Sequence, residues 1–165
     1  MYKMLSIIGK TLLVILVTNL LCCGQWYVDR YLHRNLNIPD LGITNPEEAL
    51  DWVRWNIDYM EEDYPNDRWQ TPEYTYAFRT GDCEDMVILW MYLMEKQAGL
   101  SGTRLIVVKP NWSVELHVLG WFDGWYYECV GGVRFESIVG YYEEIDRLDY
   151  DEVIKEAMQK NITGN

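Results

Sequence analysis

The chain has 165 residues and a mass of 19.6 kDa, enough for one ordinary domain with an appendage and too little for two full ones. Its 8 Trp, 13 Tyr and 3 Phe exclude a disordered chain, because that much ring surface offsets chain entropy when buried. The net charge of −12, with no basic patch against it, repels polyanions and excludes nucleic acid as a partner.

Residues 1–24 read as an export leader. Lys3 and Lys10 flank a short apolar start, residues 11–23 are almost wholly apolar, and the first acid is Asp29. The word Leu20-Leu21-Cys22-Cys23-Gly24 resembles a relaxed bacterial lipobox, with a lipidated Cys after the cut. Simple secretion and an uncleaved anchor over residues 4–23 are the alternatives, Lys10 being the liability of the anchor. Each of the three exports the domain, to the periplasm or cell surface, and any membrane attachment is through the leader or its lipid. Cleavage here removes both lysines and leaves 12 basic against 26 acidic side chains, a charge of −14. Residues 25–165 then form a single domain with two cysteines, Cys83 and Cys129. In an oxidising compartment such a pair invites a structural disulfide.

Residues 25–43 begin amphipathic and loosen around Pro39. Thr44-Asn45-Pro46-Glu47-Glu48 is a helix start, with a polar cap, an early Pro and acids at the positive end of the dipole. Leu50, Val53, Ile57 and Met60 follow near helical spacing. Residues 61–66 are an acidic turn, and 69–80, with Pro72 and no clean period, an irregular lead-in. From Gly81-Asp82 a strong helix is expected, with Met86, Leu89, Trp90, Leu93 and Met94 on one stripe and Gly99 as its stop. Strands are expected over 102–109, 114–122 and 125–130, the last two joined by a type I′ turn at Asp123-Gly124 and ended by Gly131-Gly132. Residues 149–160 read as a polar helix with Val153, Ile154 and Ala157 on one side. Helices followed by antiparallel strands make an α+β domain.

The chemistry concentrates in Thr80-Gly81-Asp82-Cys83-Glu84-Asp85. With Asp82 as N-cap, Cys83 takes the first helical position, where unpaired N–H groups and the dipole favour an anion. A thiol there is a candidate nucleophile, although Asp82, Glu84 and Asp85 oppose its ionisation. Two histidines are available. His33 lies beside Arg34 and reads as a surface residue, whereas His117 lies in the second strand. The two-residue turn places His117 opposite Val130, with Glu128 as a diagonal neighbour on the same face, roughly 7–8 Å away before side chains reach out. Glu115 shares that face as a less favoured partner, and Cys129 points the other way. Cys83, His117 and Glu128 are thus a candidate nucleophile, base and orienting carboxylate.

Gly81-Asp82-Cys83-Glu84-Asp85 leading an apolar helix, the strand bearing His117, and Trp125 through Glu128 together resemble the transglutaminase-like cysteine peptidase superfamily. Trp69-Gln70-Thr71-Pro72-Glu73 and His117-Val118-Leu119 resemble more narrowly the bacterial transglutaminase-like cysteine proteinases, which include a periplasmic protease that clips surface adhesins. The resemblance spans about residues 69–130. It implies a papain/transglutaminase-like core in which N-terminal helices, one bearing the nucleophile at its start, pack on a small antiparallel sheet. It also implies a triad acting on protein or peptide amides through a thioester, with Glu128 where the family usually has Asp. Hydrolysis is favoured over transfer to an amine. No cofactor is required, and calcium is the one candidate, through Asp82, Glu84 and Asp85 at positions that help bind it in the adhesin-clipping relatives. The Cys83 N–H is one candidate oxyanion donor, and Trp69 or Gln70 the second. The alternative function is a transglutaminase-like binding or assembly module with a weak or inactive site, favoured by the Glu-for-Asp change and by aromatics at 112, 121, 125–127, 141 and 142. A non-enzymatic lipoprotein with a Cys83–Cys129 disulfide is the third reading.

Overall fold

The structure, a computed structural model, describes residues 37–61 and 68–163, all within the unit Asn37–Asn165. The leader, His33 and most of the acidic turn lie outside the described residues. Helix α1 (Pro46–Asn56) starts as its sequence requires. The Asn45 side chain accepts the Glu48 N–H at 2.9 Å, and the Glu48 carboxylate accepts the Thr44 N–H at 2.9 Å and its hydroxyl at 2.8 Å. It buries Ala49, Leu50 and Val53. Met60 does not extend this face as the spacing predicts; it is half-exposed beyond the helix. The chain turns extended at Ile57, and residues 58–60 bond to a distant segment instead: Asp58 N–H to the Arg79 carbonyl at 2.8 Å and Met60 N–H to the Gly81 carbonyl at 2.9 Å. Strand β1 (Asp58–Tyr59) thereby pairs in parallel with a later strand, a long-range bond that no local period reveals.

The irregular lead-in expected over 69–80 is in part a second helix, α2 (Pro72–Phe78). Pro72 opens it, where a missing N–H costs nothing, and Arg79 closes it at φ +60° with its N–H on the Thr75 carbonyl. Strand β2 (Thr80–Gly81) then leads into α3 (Cys83–Tyr92). A capping box starts α3, Asp82 and Asp85 each accepting the other's backbone N–H. Its expected single stripe is instead burial on every side, since each residue from Met86 to Met91 is at most 1% exposed. The cause is tertiary, because α1, α2 and the sheet all pack on this one helix. A π-helical turn (Leu93–Gln97) extends it, and Gly99 ends it at φ +68°.

Five antiparallel strands follow: β3 (Arg104–Pro110), β4 (His117–Phe122), β5 (Trp125–Glu128), β6 (Val133–Phe135) and β7 (Tyr142–Asp149). Their order across the sheet is β6-β5-β4-β3-β7. The hairpin turns at Asp123-Gly124 with positive φ at both residues and pairs Phe122 with Trp125, as expected. Two boundaries differ. β4 begins at His117 rather than 114, and β5 ends at Glu128 rather than 130, so the ladder stops at Gly120–Tyr127 and His117 pairs with Val108 of β3 instead of Val130. Strands β6 and β7 had no reading in the sequence. β7 is acidic and mostly exposed, and it is a strand because it pairs along the whole of β3. Helix α4 (Tyr150–Thr163) closes the unit with Val153 and Ala157 buried.

Leu105, Val118 and Tyr127 meet the helices, whereas on the other face Ile106, Val108 and Leu119 cluster with the neighbouring strand residues Trp121, Tyr126 and Phe135 and with Ile138 from the loop after β6. Of the aromatics expected at the surface, Trp112 and Tyr141 are exposed, but Tyr127 is buried and stacks on Trp90 at 4.8 Å. The mixed helix-and-antiparallel-sheet class is therefore as expected. Among the described residues, no helix is long and apolar enough to cross a membrane.

At Gly120 the sheet and α3 approach closely. A Cβ there would lie 2.7 Å from the ring of fully buried Trp90. Gly120→Ala is expected to destabilise the fold by about 1–3 kcal/mol through overpacking, read as a lower midpoint in urea unfolding.

Candidate active site

A cleft of about 960 Å³ opens where the start of α3 meets the ends of β3 and β4, and Cys83, His117 and Glu128 all line it. His117 Nε2 stands 3.3 Å from Glu128 Oε1, so the diagonal pairing expected from the hairpin forms. The carboxylate is held from behind as well. Its Oε1 accepts the Val130 N–H at 3.0 Å, its Oε2 accepts the Gly131 N–H, and the Glu128 carbonyl accepts the Gly132 N–H at 2.9 Å. Burial opposes ionisation of Glu128, but His117 and the Gly131 and Val130 N–H groups outweigh it and keep its carboxyl below the usual range.

Gly131 is a part of the site that its reading as a strand breaker missed. A Cβ on Gly131 would run into Glu128 Oε2, and one on Gly132, at φ +67°, into the Arg54 side chain outside the cleft. The available signal was a Gly-Gly pair directly after a strand that carries an acid.

Cys83 reaches the cleft from another side. By strand alternation His117 shares a face with Leu119 and Trp121, away from the helices, while Cys83 packs with Val118 in the helical layer. Both face the cleft because His117 stands at the very start of β4 and Cys83 at the very start of α3. The thiol donates to Glu84 Oε2 at 3.1 Å and is therefore directed at this neighbour rather than at His117. Burial first, then the charge and hydrogen bond of Glu84 and the charge of Asp82, push the thiol pKa well up, with the Val118 N–H acting in the opposite direction. Cys83 and Cys129 are both free thiols, Cys129 fully buried on the helical side of β5, so the disulfide expected as one reading is not formed.

Of the remaining candidates Asp82 and Glu84 line the cleft, whereas Trp69, Gln70 and Asp85 do not. Trp69 packs against the main core, and Gln70 is buried with its N–H on Asp85 Oδ1 at 2.7 Å and its Oε1 accepting from the Thr75 hydroxyl at 3.3 Å. Neither lines the cleft, because Asp85 draws the 69–70 backbone inward. The acids proposed for calcium have separate tasks. Asp82 caps α3, Glu84 meets the thiol, and the Asp85 oxygens face the N–H groups of Gln70 and Asp82. Among the described residues no three His, Cys, Asp or Glu side chains are grouped to hold a metal ion. Glu115 lines the cleft, but the partner of His117 is Glu128. Tyr59, Trp112 and Tyr142 complete the walls. Tyr59 gave no signal in the sequence, since its segment read as a continuation of α1.

No protein-family model matches the chain, and a search of curated proteins finds no match to it.

Burial, and next the charge of Asp82, raise the Asp85 carboxyl well above the usual range, although the Gln70 and Asp82 N–H groups work against this. The folded state thus holds a proton that the unfolded chain releases near the ordinary Asp pKa of about 3.9. The stabilisation this represents is complete below that pH and is lost as pH rises toward the raised value. Asp85→Asn removes this titration. The pH dependence of unfolding free energy between about pH 4 and 8 is expected to flatten, as urea titrations at several pH values would show.

Proposed function

We propose that the protein is a transglutaminase-like thiol enzyme that opens protein or peptide amide bonds through a Cys83 thioester, with water as the acceptor. The observation that carries this reading is the His117–Glu128 pair at 3.3 Å, sharing a cleft with a cysteine at a helix start. Glu128 orients the imidazole, and its backing by two N–H donors keeps it an acceptor. In the resting state the thiol keeps its proton on the Glu84 side. Attack requires that proton to move to His117, which returns it to the leaving amine as the thioester forms. Water then enters under the same base. The Cys83 N–H, at the first helical position, is free of intrahelical bonding by position and supplies one donor to the developing oxyanion. Among the described residues that line the cleft none is Lys or Arg, while five are acidic, so neutral or basic peptides suit it better than acidic ones. The reading includes export, as a periplasmic protein or a lipid-anchored one.

One observation favours a second reading, a binding or assembly module with an inactive site: the thiol is turned to Glu84 and its ionisation is opposed. A panel of neutral and basic peptides separates the two. Hydrolysis that disappears in Cys83→Ala and falls about 10²–10⁴-fold in His117→Ala supports the enzyme. Absence of turnover, together with alkylation of Cys83 that is indifferent to His117, supports the module.

Glu84→Gln removes the nearest opposing charge. The apparent pKa of Cys83 alkylation by iodoacetamide, followed on the Cys83 peptide by mass spectrometry, is expected to fall below that of the unsubstituted protein.

A further inference from the structure

Thioester chemistry at Cys83 needs a second oxyanion donor, and the two residues expected to provide it, Trp69 and Gln70, are elsewhere. Tyr59, unlike them, lines the cleft. Strand β1 pairs Tyr59 with Gly81, two residues before Cys83. The amides on either side of it, Asp58 and Met60, bond to the Arg79 and Gly81 carbonyls, which fixes its backbone. Its side chain is half-exposed and lines the same cleft as Cys83 and His117. Burial first, then the charge of Cys83, then those of Glu61, Asp82 and Glu84 push its hydroxyl up to about 12. At neutral pH this hydroxyl, in the same cleft as the thiol, is therefore a neutral O–H donor, which unlike a lysine needs no charge of its own.

We propose that the Tyr59 hydroxyl is a catalytic residue, donating a hydrogen bond to the oxyanion that forms when Cys83 attacks a substrate carbonyl. This rests on the thioester reading above. The thiol proton passes to His117 as the sulfur electron pair forms the S–C bond, and the carbonyl π pair moves onto oxygen. Tyr59 and the Cys83 N–H hold that oxygen by hydrogen bonds, with no transfer of the tyrosine proton. When the pair returns, the bond to the leaving group breaks and His117 gives that group the proton.

Two probes of Cys83 in the full chain separate this role from a structural one. p-Nitrophenyl acetate acylates the thiol through an oxyanion and releases p-nitrophenolate, whereas iodoacetamide alkylates by displacement at saturated carbon with no oxyanion. Cys83→Ala supplies the background for the first, and the Cys83 peptide reports the second. Tyr59→Phe is expected to slow acylation about tenfold to a hundredfold, leaving alkylation and the circular dichroism spectrum unchanged. Acylation at the unsubstituted rate overturns the proposal. So does an equal fall in both reactions, which would mean that Tyr59 acts on the thiol or the fold. If the unsubstituted chain shows no Cys83-dependent, His117-dependent acylation, the thioester reading itself fails and takes the proposal with it.

Discussion

Everything in this unit depends on the enclosure of α3. A helix buried on all sides cannot place its charged end in water by rotating, so the acids at its start have to be accommodated where they lie. Asp85 is satisfied by the Gln70 and Asp82 N–H groups and by a raised pKa, and Glu84 by the Cys83 thiol among its contacts. The same enclosure requires a strand with no side chain where Trp90 meets the sheet, which is why Gly120 sits opposite that ring.

The site follows from where these elements end. Cys83 comes to the cleft as the first residue of a buried helix, His117 as the first residue of a central strand, and Glu128 as the last residue of its hairpin partner. Side chains at element ends can leave the plane that alternation assigns to them, and so a thiol from the helical layer and an imidazole from the other face line one cleft. The proposed chemistry inherits a tension from this origin. The carboxylate that orients His117 is well supported, while burial, and then Glu84 and Asp82, oppose ionisation of the thiol. A proton transfer within the cleft, rather than a preformed thiolate, is the step on which the proposed reaction turns.

Local chemistry was legible where the physics is local. The Asn45–Pro46 helix start, the Asp82–Asp85 capping box, the Gly99 stop and the Asp123-Gly124 turn each depend on residues within four positions of one another, and each forms as read. The His117–Glu128 pair was legible for a related reason: a two-residue turn sets the register, and register sets the diagonal. The reading held although the ladder stops short of His117, because the pair requires only that the two strand ends stay adjacent.

What the sequence determined alone was the α+β class, the helix that begins at Cys83 and the hairpin that joins His117 to Glu128. Tertiary structure decided the rest. It turned Tyr59 from a helical position into a wall of the cleft, made a strand of the acidic 142–149 stretch, and drew Trp69 and Gln70 inward to Asp85. These outcomes share one physical reason. Each is a bond between segments far apart in the chain, and neither residue of such a pair carries the other's position in its own neighbours.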